Sequence, residues 1–234
     1  MQYRCQINLN LYDSPALERL ATQAAAGRYL RIESLSSGET KKPDQPLEAI
    51  LVCLCEDDYP GWLAVHDIEH LEVADSAYRP ALLSETEIRS RIPAAIAFAR
   101  TAMTHPNEYL WGGTIGPNFD CSGLVQTAFA SAGIWLPRDA YQQEAFVQAI
   151  ALDQILPGDL IFFGPPTKAT HVGIYLGDDY YIHSSGKDQG RNGIGIDRLS
   201  GGNDPISQKY QSQLRGAGRV VAGYRGEGLS GISC

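Results

Sequence analysis

The sequence predicts an α+β chain in two parts, a small β domain followed by helices packed on an antiparallel sheet. Three observations predict it. Short apolar runs broken by turn residues fill the first third of the chain. Helical spacing of apolar residues with capping signals follows, from Ser84 to about Ala149. After Leu156-Pro157-Gly158-Asp159 the pattern becomes short β-rich runs separated by glycine turns. Helices followed by an antiparallel meander make an α+β domain with its helices on one side of the sheet.

In the first part the runs are Tyr3–Leu11, Tyr29–Leu35, Ala49–Cys55 and Gly61–Val65. Turns are expected at Ser36-Ser37-Gly38, Lys42-Pro43-Asp44 and Asp57–Gly61. Several short strands in so small a domain suggest a closed barrel. Ala16–Ala26 is rich in helix formers and predicts a short inserted helix. Cys53 and Cys55 read as strand-core thiols, since a metal site would need further ligands, for which His66 and His70 are the nearest candidates.

The division expected is 1–78 for the barrel, 79–87 for a linker and 88–234 for the second domain. Ser84 predicts an N-cap, and Ile88–Met103 a helix that Pro93 either begins or kinks. A loop from Tyr109 to Asp120 leads into a helix over Cys121–Ala132, and a further helix is expected over Ala140–Ala149. Strands are expected at Leu160–Phe163, His171–Leu176, Tyr180–His183, Gly195–Leu199 and Arg219–Tyr224. The polar, glycine-rich segment Ser200–Gly218 carries no assignable pattern.

With 234 residues, 44% apolar and 20% charged, the chain can bury a sizeable core. A net charge of −8 argues against a nucleic-acid partner. No apolar run is long enough to span a bilayer, and no secretory signal opens the chain, so a cytoplasmic location is expected, with no membrane partner. Five cysteines, an odd number, do not suggest a disulfide framework.

The chemistry centres on Phe119-Asp120-Cys121-Ser122-Gly123. Cys121 falls in the first turn of a predicted helix, where unpaired N–H groups and the helix dipole favour a thiolate. From this stretch alone Cys121 reads equally as a nucleophile or as a small buried hydrophobe. His171 opens one strand and His183 closes the next, about equidistant from the turn at Gly177–Asp179, so they are expected as cross-strand neighbours at ~5 Å. A thiol, an imidazole and a second polar group that orients it are what a cysteine hydrolase requires. The rival is a zinc site of one cysteine and two histidines, weakened by the lack of a carboxylate at ligand spacing.

Asp120–Val125, preceded by Tyr109-Leu110-Trp111-Gly112-Gly113, resembles the nucleophile motif of the NlpC-type cell-wall cysteine peptidases. Leu136-Pro137-Arg138, Pro157–Phe162, His171–Tyr175 and Tyr181–Ser185 resemble the family's later blocks, in order, over about 88–225. The resemblance implies a papain-like α+β core. The barrel fused to it is similar to the bacterial SH3-like domain of the γ-D-glutamyl-L-diamino acid endopeptidases. It implies Cys121 as nucleophile, His171 as general base and acid, His183 as orienting group and Tyr109 beside the oxyanion. It implies Asp120 and Ser122 as contacts for a murein peptide with a free L-Ala, and Tyr59 as a wall of the substrate pocket. Asp120 also reads as a helix N-cap, Ser122 as an ordinary first-turn residue and Tyr59 as a turn aromatic over Trp62. Ala140 stands where some relatives carry a small hydroxyl residue. No cofactor or metal is implied. The expected activity is hydrolysis of the γ-D-glutamyl–meso-diaminopimelate bond in peptidoglycan recycling. An amidase or acyltransferase on the same core and a non-catalytic murein-binding module are the alternatives.

Overall fold

The computed structural model describes residues 1–33 and 48–226. The expected turns at Ser36–Gly38 and Lys42–Asp44, and Cys234, lie outside the described residues. The chain divides into two compact units, Met1–Pro80 with the chain from Arg225 onward, and Ala81–Tyr224.

Among the described residues, the first unit is one antiparallel sheet of seven strands. These are β1 (Gln2–Cys5), β2 (Leu9–Tyr12), β3 (Leu20–Ala24), β4 (Tyr29–Ile32), β5 (Ala49–Leu54), β6 (Pro60–Ala64) and β7 (Leu71–Val73), in the order β3-β2-β6-β5-β4-β1-β7. Cys5, Leu9, Leu11, Ala24, Leu30 and Val52 lead its core. Alternation of buried and exposed residues along β2 is what a strand with one buried face requires. The helix expected over Ala16–Ala26 is instead the hairpin strand β3. Leu9 pairs with Ala24 and Leu11 with Thr22, which buries Thr22 and Ala24 on one face. That tertiary pairing outweighs the alanine-rich helix propensity. Arg28 is buried between Glu56 and Asp57, at 3.2 and 3.0 Å, and so carries its own counter-charges into the interior. Cys53 and Cys55 are buried, and Arg31 donates to the Cys53 sulfur at 3.0 Å.

The second unit opens with α1 (Glu85–Thr104), entered through a reciprocal capping box between Ser84 and Glu87. The helix runs on through Pro93, which lies on its exposed face. Then come α2 (Cys121–Ser131), α3 (Ala140–Phe146), β8 (Gln148–Ile150), β9 (Leu160–Phe163), β10 (His171–Gly177), β11 (Tyr180–Ser185), β12 (Gly193–Arg198), α4 (Pro205–Gln211) and β13 (Leu214–Arg219). The six strands form one antiparallel sheet in the order β12-β11-β10-β9-β13-β8.

The period-two alternation of the strands decides what each face meets. Leu160, Phe162, Val172, Ile174 and Ile182 pack with α1 and α2 residues such as Ile88, Leu124 and Phe129. Ile161, Phe163, Tyr175 and Tyr181 face the other way, against Tyr210 of α4. Three expectations need correction here. The third helix stops at Phe146, because Gln148–Ile150 pairs with β13. The last strand is Leu214–Arg219, not Arg219–Tyr224. Ser200–Gly218 contains α4 and most of that strand. β13 is threaded between β9 and β8, and a Cβ on Gly218 would lie 2.2 Å from Val147. Gly218 therefore marks close packing rather than a loop.

Gly158 precedes β9 at φ +92°, and an added Cβ would lie 2.1 Å from Ile92 Cγ2. Strain and overlap act together there. Gly158→Ala is expected to destabilise this unit by about 2 kcal/mol or more, seen as a lower urea midpoint at unchanged slope.

Candidate active site

The loop ahead of α2 is held in place by glycines and one carboxylate. Gly113 N–H donates to Leu110 O at 2.9 Å, and Asp120 N–H donates to Gly113 O at 3.1 Å. A Cβ on Gly123 would sit 2.0 Å from Gly113 O, so loop and helix start touch backbone to backbone. Asp120 is the N-cap. Its Oδ1 accepts from Gly123 N–H at 2.6 Å, and its Oδ2 accepts from Gly112 N–H at 2.8 Å. Arg138, 1% exposed, donates to both oxygens, Nη1 to Oδ1 at 3.1 Å and Nη2 to Oδ2 at 2.6 Å. Ser122 Oγ accepts from the same guanidinium at 2.9 Å and donates to Asp120 Oδ1 at 3.3 Å. A buried carboxylate held by a bidentate guanidinium locks the geometry around the next residue.

That next residue is Cys121, 6% exposed, a free thiol at the head of α2. The N–H groups of Ser122 and of Val172 hydrogen-bond its sulfur. Val172 follows His171 in β10, so the sulfur meets the backbone of the strand that carries the histidine. Burial first, then the Asp120 charge, push the Cys121 thiol up to about 12, against the pull of the two N–H groups and Arg138. Burial therefore works against the thiolate that the helix start is expected to favour, and a thiol here calls for a base.

His171 and His183 are both buried. His171 Nε2 lies 2.6 Å from His183 Nδ1, with the rings nearly perpendicular. They are diagonal rather than directly opposite, which corrects the equidistant placement. Ile174 pairs with Ile182, and a Cβ on Gly173 would come within 3.2 Å of the His183 Cβ. Phe163 is the partner of His171 on the other side. The diagonal still lets the two rings meet. Tyr210 stacks on His171 with centroids 4.4 Å apart. Burial, with His183 adding to it, holds His171 well below the usual histidine range, and burial lowers His183 too. Both are neutral imidazoles at neutral pH.

Tyr109 forms an isolated bridge with Phe119, which ties the start of the loop to its end. Burial, then the nearby Cys121 and Asp120, push its phenol upward, so it stays a neutral O–H donor. The structure thus gathers Cys121, His171, His183, Tyr109, Asp120 and Ser122 in the second unit. Tyr59 belongs to the first unit, half-buried in the turn before β6, where its carbonyl accepts from Leu54 N–H at 2.9 Å.

Three site residues escaped the sequence reading. Tyr210 sits on a helix that the sequence pattern did not reveal. Asp197 Oδ2 lies 2.6 Å from His183 Nε2, and Arg191 donates to Asp197 Oδ1. The signal for Asp197 was the strand Gly193-Ile194-Gly195-Ile196-Asp197. Its alternation puts the aspartate on the face away from both isoleucines.

Residues 106–215 match the NlpC/P60 family, and residues 11–68 match the bacterial dipeptidyl-peptidase SH3 domain. The chain is 38% identical over 112 residues to the probable endopeptidase p60 of Listeria monocytogenes, covering 48% of this chain and 21% of that protein. It is 46% identical over 134 residues to the bifunctional muramidase/DL-endopeptidase CwlT of Bacillus subtilis, covering 53% of this chain and 40% of that protein. The chain therefore spans well under half the length of these relatives. A crystal structure of an NlpC/P60 family protein from Bacillus cereus superposes with a TM-score of 0.68 at 21% identity, over 94% of this chain and 100% of that one. The helix-borne cysteine and the strand-borne histidines thus all lie within the stretch of the chain that matches the NlpC/P60 family, and the stretch that matches a bacterial SH3 domain precedes it.

Proposed function

We propose that this chain is a cysteine endopeptidase that cleaves the γ-D-glutamyl–meso-diaminopimelate bond of short murein peptides with a free N-terminal L-Ala. One observation carries the reading. The N–H of Val172, the residue after His171 in β10, meets the Cys121 sulfur, and His171 Nε2 is turned to His183, which leaves Nδ1 as the ring nitrogen that this reading assigns to the sulfur.

The chemistry follows from the protonation states. As the Cys121 sulfur attacks the γ-carbonyl carbon, its proton passes to His171 Nδ1. The tetrahedral oxyanion is met by the Tyr109 O–H and the Cys121 N–H at the helix start. The C–N bond breaks as His171 returns the proton to the leaving amine. A thioester to the γ-carboxyl of D-Glu remains. His171 then takes a proton from water, whose oxygen attacks the thioester, and returns a proton to the sulfur as the free acid leaves.

The family resemblance supports Asp120 and Ser122 as contacts for the peptide's first residue. Asp120 already balances Arg138, so a substrate ammonium would share that carboxylate rather than own it. The endopeptidase names of the two relatives support peptide-bond hydrolysis. We place the activity in recycling within the cytoplasm. Four free cysteines among the described residues suit a reducing compartment.

Cys121→Ala should abolish release of diaminopimelate from L-Ala-γ-D-Glu-meso-diaminopimelate and keep the thermal transition. Mass spectrometry of the products checks it, and retained hydrolysis would refute the assignment. Acetylating the peptide's N-terminus should remove most turnover of the wild type. The pH dependence follows from His171, which acts in its neutral form and is held well below 6.5. kcat/KM should therefore be flat from about pH 6.5 to 8 and fall only at more acidic pH. An acid limb centred above 6.5 would contradict the neutral-base mechanism.

A further inference from the structure

We infer that Asp197, fixed by Arg191, is a positioning residue that sets the tautomer of both imidazoles and so leaves His171 Nδ1 unprotonated toward Cys121. This rests on His171 as the proton acceptor proposed above.

Hydrogen-bond direction fixes where the protons sit. The Asp197 carboxylate only accepts. His183 Nε2, 2.6 Å away, must therefore carry the proton. A neutral imidazole has one N–H, so His183 Nδ1 is a lone pair and accepts from His171 Nε2. His171 then has its own lone pair on Nδ1, the only tautomer able to take a thiol proton. The carboxylate thus dictates a proton position two rings away.

The surroundings are built to hold it. β12 pairs His183 with Gly195 and Tyr181 with Asp197, so Asp197 reaches His183 along the sheet diagonal. A Cβ on Gly195 would lie 2.1 Å from Arg191 Nη1, so the guanidinium occupies the space a side chain would fill. Asp197 is 4% exposed and His183 is fully buried, which leaves little room for water to replace either partner.

Asp197→Asn is the informative change. Arg191 still donates, so it fixes the Asn oxygen on its own side and turns the NH2 toward His183. His183 Nε2 must then accept and Nδ1 must carry the proton. His171 Nε2 accepts in turn, and His171 presents Nδ1–H to the sulfur. A simple loss of packing would not move the proton this way.

The test uses the full chain with 15N-labelled histidine at neutral pH, alongside kinetics on L-Ala-γ-D-Glu-meso-diaminopimelate. In the wild type, nitrogen shifts should show the proton of each histidine on Nε2. Finding His171 as the Nδ1–H tautomer overturns the inference without any variant. Asp197→Asn should move both protons to Nδ1 and lower kcat on the order of 10²–10⁴-fold with KM little changed. Adding Arg191→Met frees the amide to turn, and the double variant should regain both the Nε2 tautomer and part of kcat. Wild-type kcat in Asp197→Asn, or no recovery in a folded double variant, overturns the inference. A Cys121→Ala variant that still hydrolyses the peptide would instead overturn the catalytic reading, and the tautomer measurement would still decide this one.

Discussion

Everything in the second unit turns on a largely buried polar chain. A thiol, two imidazoles, a carboxylate and a guanidinium follow one another from the head of α2 across β10 and β11 to β12. Desolvation keeps the first three neutral, and only the far end carries charge, as an ion pair. Buried polar groups of this kind are tolerable only when each finds a partner. The fold meets that demand with geometry rather than bulk. Glycines at 173 and 195 stand beside His183 on its two neighbouring strands and give the rings and the guanidinium their space.

The other half of the site is organised by Asp120. Its carboxylate caps the helix, tethers the Gly112 amide and neutralises Arg138, and each contact also fixes where Cys121 sits. The structural and functional accounts of this residue are thus one account. Removing its charge would take the bidentate carboxylate from a buried guanidinium, a disruptive change in a core.

Much of this was legible in the sequence. The helix beginning at Cys121 was readable because glycine breakers, a capping aspartate and an apolar stripe agree on one boundary. The histidine strands were readable from period-two runs around a glycine turn. What the sequence hid was non-local. Ala16–Ala26 looks helical by composition and becomes β3 because β2 pairs with it. The strand Leu214–Arg219 looks like a loop because it carries two glycines, of which Gly218 serves close packing against Val147. Asp197, Arg191 and Tyr210 reach the histidines only through sheet register and a short late helix, neither of which local spacing encodes. The resting thiol was also hidden, since burial is a property of the packed domain and not of a helix start.

The central claim is that the γ-glutamyl group passes through a covalent bond to Cys121. Hydroxylamine added during turnover of the tripeptide tests it most directly, because it competes with water for a thioester. The account predicts a γ-hydroxamate of L-Ala-D-Glu that grows at the expense of the free acid and is absent with Cys121→Ala. Free acid alone at every hydroxylamine concentration, while diaminopimelate is still released, would contradict it.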